Sequence, residues 1–362
     1  MNAADSVLKL VRPDILALTA YSSARKESNG GRVWLDANEN PETPSVHKPL
    51  LNRYPAPQPA DLVAQLAALY GVAPAQVLVT RGSDEGIDLL LRTFCRAGQD
   101  AILITPPTYG MYVVAAGIQG ARTVTVPLIG EKNFSLNAAV VLRAVTAEVK
   151  VVFLCSPNNP TGNLLDRAAV LSLVRSLAGR AVVVVDEAYV DFSACTELGR
   201  SGQPSLAVEV ASNPNLVVLR TLSKAYGLAG ARVGTTLADP AVIAVLQKVI
   251  APYPVPAPVL SAALAALTPA GLAAARESVA TIVAERIRLA AALAKLPVVK
   301  RVWPSDANYL LIAVADSARA RAAGRAAGVI WRDRSKDVSN CIRITIGTAE
   351  ENNATLEVLS RV

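Results

Sequence analysis

The stretch that decides the fold of this chain is AVVVVDEAY, residues 181–189. Its run of alanine and valine is typical of a strand that is buried on both faces, and the run ends in an acid. Five further short apolar runs are separated by segments of helix length. They are Val77–Thr80, Ala101–Thr105, Thr123–Val126, Lys150–Cys155 and Leu216–Arg220. This alternation predicts an α/β fold, with a largely parallel sheet covered by helices on both faces.

Polar residues stand at the ends of three of these runs. Asn158, Asp186 and Lys224 each follow the apolar part of a predicted strand. In open α/β sheets, ligands bind beyond the carboxyl ends of the strands. Burial at such a place disfavours the ammonium form of a lysine and makes its amine available as a nucleophile. The sequence therefore predicts a site where an amide, a carboxylate and a reactive amine come together.

A chain of 362 residues is long enough for two structural domains. Residues 46–260 contain the six strands and the predicted site. An alanine-rich, helical region from Ser261 to Lys295 leads to a second set of elements. These are strands at Asn308–Val314, Val329–Trp331 and Cys341–Ile346, a helix at Ser317–Ala327 and a final helix. We assign residues 261–362, together with an amino-terminal arm of residues 1–45, to a smaller α/β domain.

The composition argues against several classes of function. The formal net charge of +7 favours anionic substrates, but the aromatic content is only 4% and no basic stripe accompanies it, so nucleic-acid binding is not expected. The four cysteines form no C-x-x-C pair, which argues against a zinc site and a disulfide framework. A single histidine, His47, argues against a Ser-His-Asp relay. No metal is expected.

The expected compartment is the cytoplasm. Widely separated cysteines suit a reducing environment, and the amino terminus lacks the pattern of a secretory signal. The longest uncharged stretch, Val249–Ala275, contains five prolines. Each proline removes a backbone donor, so this stretch is not predicted to span a membrane.

Three segments of the chain resemble the fold-type I aminotransferases, which use pyridoxal phosphate. They are SPNNPTG at 156–162, VDEAY at 185–189 and RTLSKA at 220–225. Further segments are similar to the histidinol-phosphate aminotransferase family. These are YSSAR at 21–25, LDANENP at 35–41, RYP at 53–55, RGSDEGI at 81–87, PPTYGMY at 106–112 and IRITIGT at 342–348. Together they cover nearly the whole chain, and they imply a large domain with a mostly parallel sheet and a smaller carboxyl-terminal domain.

The resemblance implies roles for four residues around the cofactor ring. Lys224 carries the cofactor covalently and moves the proton during transfer. Asp186 pairs with the protonated ring nitrogen. Asn158 and Tyr189 bind the ring hydroxyl oxygen, and Asn158 also contacts the substrate.

The phosphate of the cofactor requires donors at a helix start. Ser83 and Asp84 stand where a helix is predicted to begin, and such a start binds phosphate through its backbone N–H groups. The resemblance implies that Ser223 and Arg232 complete this anchor, the guanidinium by a charge-assisted contact. It also implies that Tyr109 stacks on the cofactor ring.

The remaining implied roles concern the substrate and a second subunit. Tyr54 is similar to the tyrosine that reaches the cofactor phosphate of the neighbouring subunit, which implies a homodimer. Arg343 is similar to the arginine that binds the anionic groups of both substrates in turn. Arg332 and Tyr21 are further candidates for the same anion pocket.

The function expected from the resemblance is transamination between L-histidinol phosphate and 2-oxoglutarate in histidine biosynthesis. The substrates are thus a phosphorylated amino alcohol and a dicarboxylate. Two enzymatic alternatives share the scaffold: an aminotransferase for aromatic amino acids and a threonine-phosphate decarboxylase. The alternative outside enzymes is a catalytically silent ligand-binding regulator, which would lack Lys224, Asp186 or Arg343. All three are present.

Overall fold

The computed structural model describes residues 3–21, 33–43, 51–193 and 205–362. Within these residues the larger sheet has seven strands in the order β1-β7-β6-β5-β4-β2-β3. Their bounds are β1 Val77–Thr80, β2 Ala101–Ile104, β3 Arg122–Thr125, β4 Val149–Cys155, β5 Val182–Asp186, β6 Leu216–Thr221 and β7 Gly234–Leu237. The strand β7 is antiparallel to both of its neighbours, and the other pairs are parallel. The predicted α/β fold is confirmed, whereas β7 was not predicted.

Two hydrophobic clusters lie on the two faces of this sheet. In β5, Val183 and Val185 belong to one cluster, and Val182 and Val184 belong to the other. This division follows from the two-residue period of a strand. Each fully buried valine contributes about 1.5 to 3 kcal/mol relative to an exposed one, so both faces must be covered.

Helices cover both faces as predicted. The described helices before residue 250 are α1 Ala3–Leu8, α2 Pro13–Ala17, α3 Ala60–Tyr70, α4 Gly82–Phe94, α5 Met111–Gln119, α6 Ala138–Ala144, α7 Arg167–Ser176 and α8 Pro240–Val249. The helices α3, α6 and α7 pack on one face, and α4, α5 and α8 pack on the other. Val7 and Val11 of the amino-terminal segment join the second cluster. The helices α1 and α2 pack on α8, and the grouping of residues 1–45 with a smaller domain stays a prediction.

The predicted helical region after residue 261 is two helices, α9 Ala257–Ala266 and α10 Pro269–Leu293. Thr268 separates them, because its side-chain oxygen accepts a hydrogen bond from the Gly271 N–H at 3.1 Å and Pro269 begins the new helix. None of the described helices is by itself long and apolar enough to cross a membrane. The pair α9 and α10 meets the test of length and composition only when taken together, across a bend of 71°.

A second, antiparallel sheet has the order β10-β11-β9-β8. Its elements are β8 Val299–Val302, β9 Tyr309–Val314, α11 Ser317–Ala326, β10 Arg332–Asp333, β11 Cys341–Thr345 and α12 Ala349–Ser360. The prediction of a strand at Val329–Trp331 was wrong, since Trp331 is buried against the helices and strand pairing starts at Arg332. The strand β8 was not predicted.

The two sheets are in contact. One face of the smaller sheet packs on α10, α11 and α12. On its other face, Leu311 and Cys341 belong to the same hydrophobic cluster as α3 and β5 of the larger sheet. This contact brings β11 close to the carboxyl ends of the parallel strands.

Candidate active site

A pocket lies where the strands β4, β5 and β6 end. Two of its walls come from the start of α4 and from the turn before β7. Its lining residues are Ser83, Asp84, Tyr109, Cys155, Asn159, Asp186, Ala188, Tyr189, Thr221, Ser223, Lys224 and Arg232. The structure thus brings together most of the residues predicted from the sequence, as expected for the carboxyl edge of a parallel sheet.

Asp186 is the last residue of β5 and is 3% exposed. Its Oδ2 accepts a hydrogen bond from the Tyr112 hydroxyl at 2.8 Å, and its Oδ1 accepts one from the Ala188 N–H at 3.2 Å. Burial raises the pKa of this carboxyl to about 6, against the lowering effect of the Tyr112 hydrogen bond. Both donors are neutral, so the carboxylate remains suited to a cationic ligand.

Tyr112 was not predicted as a site residue. It lies in α5, it is fully buried, and its ring stacks on Phe153 with centroids 4.7 Å apart. Its hydroxyl therefore has a fixed position behind Asp186. Its place at the end of the segment PPTYGMY was the available signal, but only the fold shows which acid it meets.

Lys224 follows β6, and its side chain lines the pocket. The ammonium nitrogen Nζ is 5.5 Å from the centroid of the Tyr189 ring. Desolvation lowers the pKa of Lys224, and the positive charges of Arg343 and Arg232 lower it further. A lower pKa increases the neutral fraction of the amine, which is the form that attacks carbonyl groups.

Arg232 and Ser223 lie at the start of α4, and these three parts together are called the cradle. Nη1 of Arg232 donates to the Ser223 hydroxyl at 3.4 Å, and Nη2 lies 3.1 Å from Asp84. Gly82, the first residue of α4, has a φ of +75°, and a Cβ there would lie 2.6 Å from Nη2 of Arg232. Glycine is therefore needed for the guanidinium to lie over the helix start, where backbone N–H groups bind phosphate.

Tyr109 lines the pocket next to this cradle. Its hydroxyl donates to Oδ1 of Asp84 at 3.0 Å, and its ring meets Tyr112 edge to face at 5.6 Å. Burial, and then the charge of Asp84, raise the pKa of Tyr109. The phenol is therefore neutral and held as a flat wall of the pocket.

Asn158 does not face the pocket, which corrects the prediction from the sequence. Its amide donates to Pro107 O at 2.8 Å and to the Thr161 hydroxyl at 2.6 Å, and its carbonyl accepts from the Thr108 hydroxyl at 3.0 Å. The side-chain carbonyl and both N–H groups of Asn158 thus already have hydrogen-bond partners within the protein. The neighbouring Asn159 lines the pocket instead, and its Nδ2 lies 3.4 Å from the Tyr189 hydroxyl.

Arg343 connects the smaller sheet to this pocket. From β11 its Nη1 donates to Oδ1 of Asn159, and its guanidinium lies 5.1 Å from the centroid of the Tyr309 ring. The Tyr309 ring in turn meets the Tyr189 ring edge to face at 5.1 Å. Arg343 therefore reaches the rim of the pocket, and its role in binding a substrate anion stays a prediction.

Three further predicted residues also lie outside the pocket. Tyr54 is 52% exposed and stacks on Tyr253, with ring centroids 4.6 Å apart. Tyr21 is 68% exposed. Arg332 is exposed on β10, directly opposite Arg343. The roles assigned to these residues stay predictions, and that of Tyr54 requires a second subunit.

Metal ligands do not gather in the described part of the chain. Within it, no group of three or more His, Cys, Asp or Glu side chains is placed to hold a metal ion. Cys95, Cys155 and Cys341 are buried free thiols. His47 and Cys195 lie outside the described residues.

The pocket fits a phosphorylated, cationic heterocycle that carries a carbonyl group. Asp186 offers a buried negative charge, Lys224 offers an amine of lowered pKa, and the cradle offers backbone donors and a guanidinium. Pyridoxal phosphate, expected from the resemblance, has these features. The residues that would hold it are Ser83, Tyr109, Asn159, Asp186, Tyr189, Ser223, Lys224 and Arg232.

Comparison with known sequences identifies the kind of protein that this chain resembles. The sequence model of the family described as aminotransferase class I and II matches residues 27–359. Histidinol-phosphate aminotransferase of Stenotrophomonas maltophilia strain R551-3 is 48% identical, with 99% of this chain and 98% of the relative covered. Histidinol-phosphate aminotransferase 1 of Pasteurella multocida strain Pm70 is 46% identical, with 99% of each covered.

Solved structures share the fold. Histidinol-phosphate aminotransferase of Sinorhizobium meliloti, in complex with pyridoxal-5'-phosphate, has a TM-score of 0.74 at 26% identity and covers 85% of this chain and 82% of that one. The enzyme of the same name from Clostridium acetobutylicum has a TM-score of 0.76 at 20% identity, with 86% and 90% covered. The second likeness concerns the fold alone.

Proposed function

Because the chain belongs to the class I and II aminotransferase family, we propose that it transfers an amino group between L-histidinol phosphate and 2-oxoglutarate, with pyridoxal phosphate as its cofactor. The products are imidazole acetol phosphate and L-glutamate, in the route to L-histidine. The observation that carries this proposal is the convergence of a buried carboxylate, an amine of lowered pKa and a phosphate cradle in one pocket. The relatives at 46 to 48% identity support the substrate.

When bound, pyridoxal phosphate supplies an electron-withdrawing ring that stabilises negative charge on the substrate carbon. Asp186 holds a negative charge where the ring nitrogen is expected, and that charge favours the protonated nitrogen. Ser223, Arg232 and the N–H groups at the start of α4 would hold the phosphate of the cofactor. Asn159 and Tyr189 offer hydrogen bonds to the ring hydroxyl.

Lys224 is proposed to carry the cofactor and to transfer the proton. Desolvation lowers the pKa of Lys224, which increases the neutral fraction of Nζ, the form that accepts a proton from the substrate carbon. Arg343 at the rim binds the anionic end of each substrate in turn. One pocket then serves both half-reactions, so ping-pong kinetics are expected.

The proposal includes the assembly and the compartment. We propose a homodimer in which Tyr54 reaches the cofactor phosphate of the partner subunit, because Tyr54 is half-exposed and lies outside the pocket of its own chain. We also propose a division into residues 46–260 and a smaller domain of 1–45 and 261–362. The proposed location is the cytoplasm.

The test is an amino-transfer assay with the purified protein, loaded with pyridoxal phosphate, and with L-histidinol phosphate and 2-oxoglutarate. Glutamate should form in step with imidazole acetol phosphate. The Lys224→Ala variant should be folded by circular dichroism but slower by at least about 10⁴-fold, the upper range for loss of a general acid–base residue, because it also loses the covalent amine.

Other outcomes would replace the proposal. Release of carbon dioxide from threonine phosphate would favour the decarboxylase, and faster turnover of phenylalanine would favour the aromatic aminotransferase. A protein that binds the cofactor but transfers no amino group would support the silent regulator.

A further inference from the structure

The segment LDANENP, residues 35–41, contributes no residue to the lining of the pocket. Residues 33–43 and 51–55 form neither a helix nor a strand. Their backbone therefore lacks the regular hydrogen bonds of helices and sheets, and side chains must supply partners that fix its course. Glu39, in the middle of the first segment, has such a side chain.

Glu39 joins the two segments through both oxygens of its carboxylate. Its Oε1 accepts a hydrogen bond from the Tyr54 N–H at 2.7 Å, and its Oε2 lies 2.7 Å from Nη1 of Arg53. Nη1 of Arg53 also donates to Trp34 O at 3.2 Å. The Glu39 side chain is only 3% exposed. Because hydrogen bonds to an ionised acceptor are roughly twice as strong as neutral ones, this carboxylate fixes the backbone at residues 53 and 54.

Tyr54 is held at two further points. Pro55 follows it and restricts its backbone to extended conformations. Its ring stacks on that of Tyr253, with an angle of 16° between the ring planes. The half-exposed ring is thus held in one direction at the surface of the subunit. A side chain that is held in this way loses little freedom when its hydroxyl meets a ligand, and this increases affinity.

We propose that Glu39 is a positioning residue, which acts through Tyr54 on the cofactor phosphate of the partner subunit. This inference rests on the proposed function, in which Tyr54 reaches across the dimer. Glu39 does not line the pocket of its own chain, so its effect belongs to the site of the other subunit. Without the carboxylate, the backbone of Tyr54 is less restricted, its hydroxyl meets the phosphate less often, and the affinity for pyridoxal phosphate falls.

The first experiment is a titration of the cofactor-free dimer with pyridoxal phosphate, followed by absorbance. Glu39→Ala and Tyr54→Phe should each lower the affinity about tenfold, as for the loss of one hydrogen bond to a charged group. Glu39→Gln keeps an oxygen for the Tyr54 N–H and should lose less. The control is Glu42→Ala, which replaces an exposed acid three residues further along the chain and should match the wild type.

The double variant shows whether Glu39 acts through Tyr54. If it does, Glu39→Ala combined with Tyr54→Phe should bind the cofactor no more weakly than the weaker single variant, because both changes remove the same contact. Two independent losses would multiply to about 100-fold. A residue that only stabilises the fold would give that larger loss, and it would also lower the unfolding temperature in proportion.

Hybrid dimers test the action across the interface. One subunit carries Lys224→Ala and the other Glu39→Ala, and the hybrid is purified through two different affinity tags. Borohydride reduction links bound cofactor to the lysine amine, so labelling at Lys224 reports only the site of the Glu39→Ala subunit. The Tyr54 of that site comes from the Lys224→Ala subunit, whose Glu39 is intact. The cofactor concentration for half-labelling should therefore equal that of the wild type and not that of the Glu39→Ala homodimer.

The results distinguish this inference from the proposed function. The same hybrid made with Tyr54→Phe in place of Glu39→Ala tests the reach of Tyr54, and labelling like that of the Tyr54→Phe homodimer overturns this part of the proposed function. If that hybrid labels like the wild type, a Glu39→Ala hybrid that labels like its own homodimer overturns only the role of Glu39. Unchanged cofactor affinity in the Glu39→Ala homodimer does the same. If Glu39→Ala is misfolded by circular dichroism, Glu39→Gln takes its place in every comparison.

Discussion

Asp186 and Glu187 are adjacent acids at the end of β5, and both are buried, yet they serve two different regions of the molecule. Glu187 accepts from the Ser205 hydroxyl and the Leu206 N–H, both at 2.6 Å, and its Oε2 lies 3.3 Å from Arg220. Asp186 faces the pocket, and among the residues that the structure describes it accepts hydrogen bonds only from the neutral donors Tyr112 and Ala188. Burial raises the pKa of both carboxyls.

The difference shows how one strand end supplies both stability and chemistry. The charge of Glu187 is balanced inside the protein, because Arg220 binds it and also Asp191 at 2.6 Å. The charge of Asp186 is not balanced in this way, and a buried carboxylate without an ionic partner is costly. Such a group is characteristic of functional sites, since a cationic ligand can recover the cost.

The largest loss of stability is expected when the cation that binds Glu187 is removed. Arg220→Met should destabilise the protein by about 3 to 5 kcal/mol, because it leaves Glu187 buried without its cation. The measurement is urea unfolding of the cofactor-free protein, with Arg175→Met on the exposed face of α7 as the control, expected within about 0.5 kcal/mol of the wild type. The double variant with Glu187→Gln should recover part of the loss. A change below about 1 kcal/mol for Arg220→Met would contradict the structural role assigned to this cluster.

Replacing Asp186 should change the free energy of unfolding in the opposite direction. The pKa of Asp186 is about 6 in the folded protein and 3.8 otherwise, so the folded state holds the proton more tightly and stability falls as pH rises from about 4 to about 6. At pH 7 the ionised carboxylate costs up to about 3 kcal/mol, at 1.36 kcal/mol per pKa unit. Asp186→Asn should therefore stabilise the cofactor-free protein at pH 7, and the gain should disappear below pH 4.

The same variant should also be stabilised less by bound pyridoxal phosphate. Unfolding is measured at both pH values, with and without pyridoxal phosphate. The wild type should gain more stability from the cofactor than Asp186→Asn does, because a ligand stabilises the state that it binds. Equal destabilisation of Asp186→Asn at pH 4 and pH 7 would show that Asp186 has a packing role instead.

The sequence predicts the interior of the fold better than its edges. The strands β4, β5 and β6 were located within one residue of their observed bounds, because their residues are apolar on both faces. The strand β7, with the sequence GTTL, has no such run, and its pairing of Val77 with Leu237 joins distant parts of the chain. Local periodicity carries no information about pairing across that separation.

The site was predictable by motif but not by side-chain direction. The segment at 156–162 contains two consecutive asparagines, and nothing in the sequence says which one faces the pocket. In the structure, Asn158 N–H donates to Asn163 O and its own carbonyl accepts from Gly162 N–H, so the loop turns this residue inward. Tyr54 and Tyr21 are a different case, because their proposed partners lie on another molecule or on the substrate.

The smallest effects are expected from these two asparagines, and they extend the comparison between structural and pocket residues. Asn158→Ala leaves Pro107 O and the Thr108 hydroxyl without their partner and should destabilise the protein by about 1 to 3 kcal/mol. Asn159→Ala removes a pocket hydrogen bond and should weaken pyridoxal phosphate binding about tenfold, with little change in the unfolding of the cofactor-free protein. Each variant is the control for the other: absorbance titration with the cofactor and thermal unfolding are measured on both. If Asn158→Ala weakens cofactor binding at unchanged stability while Asn159→Ala does not, the assignment is reversed, and Asn158 contacts the ring after the loop rearranges on binding.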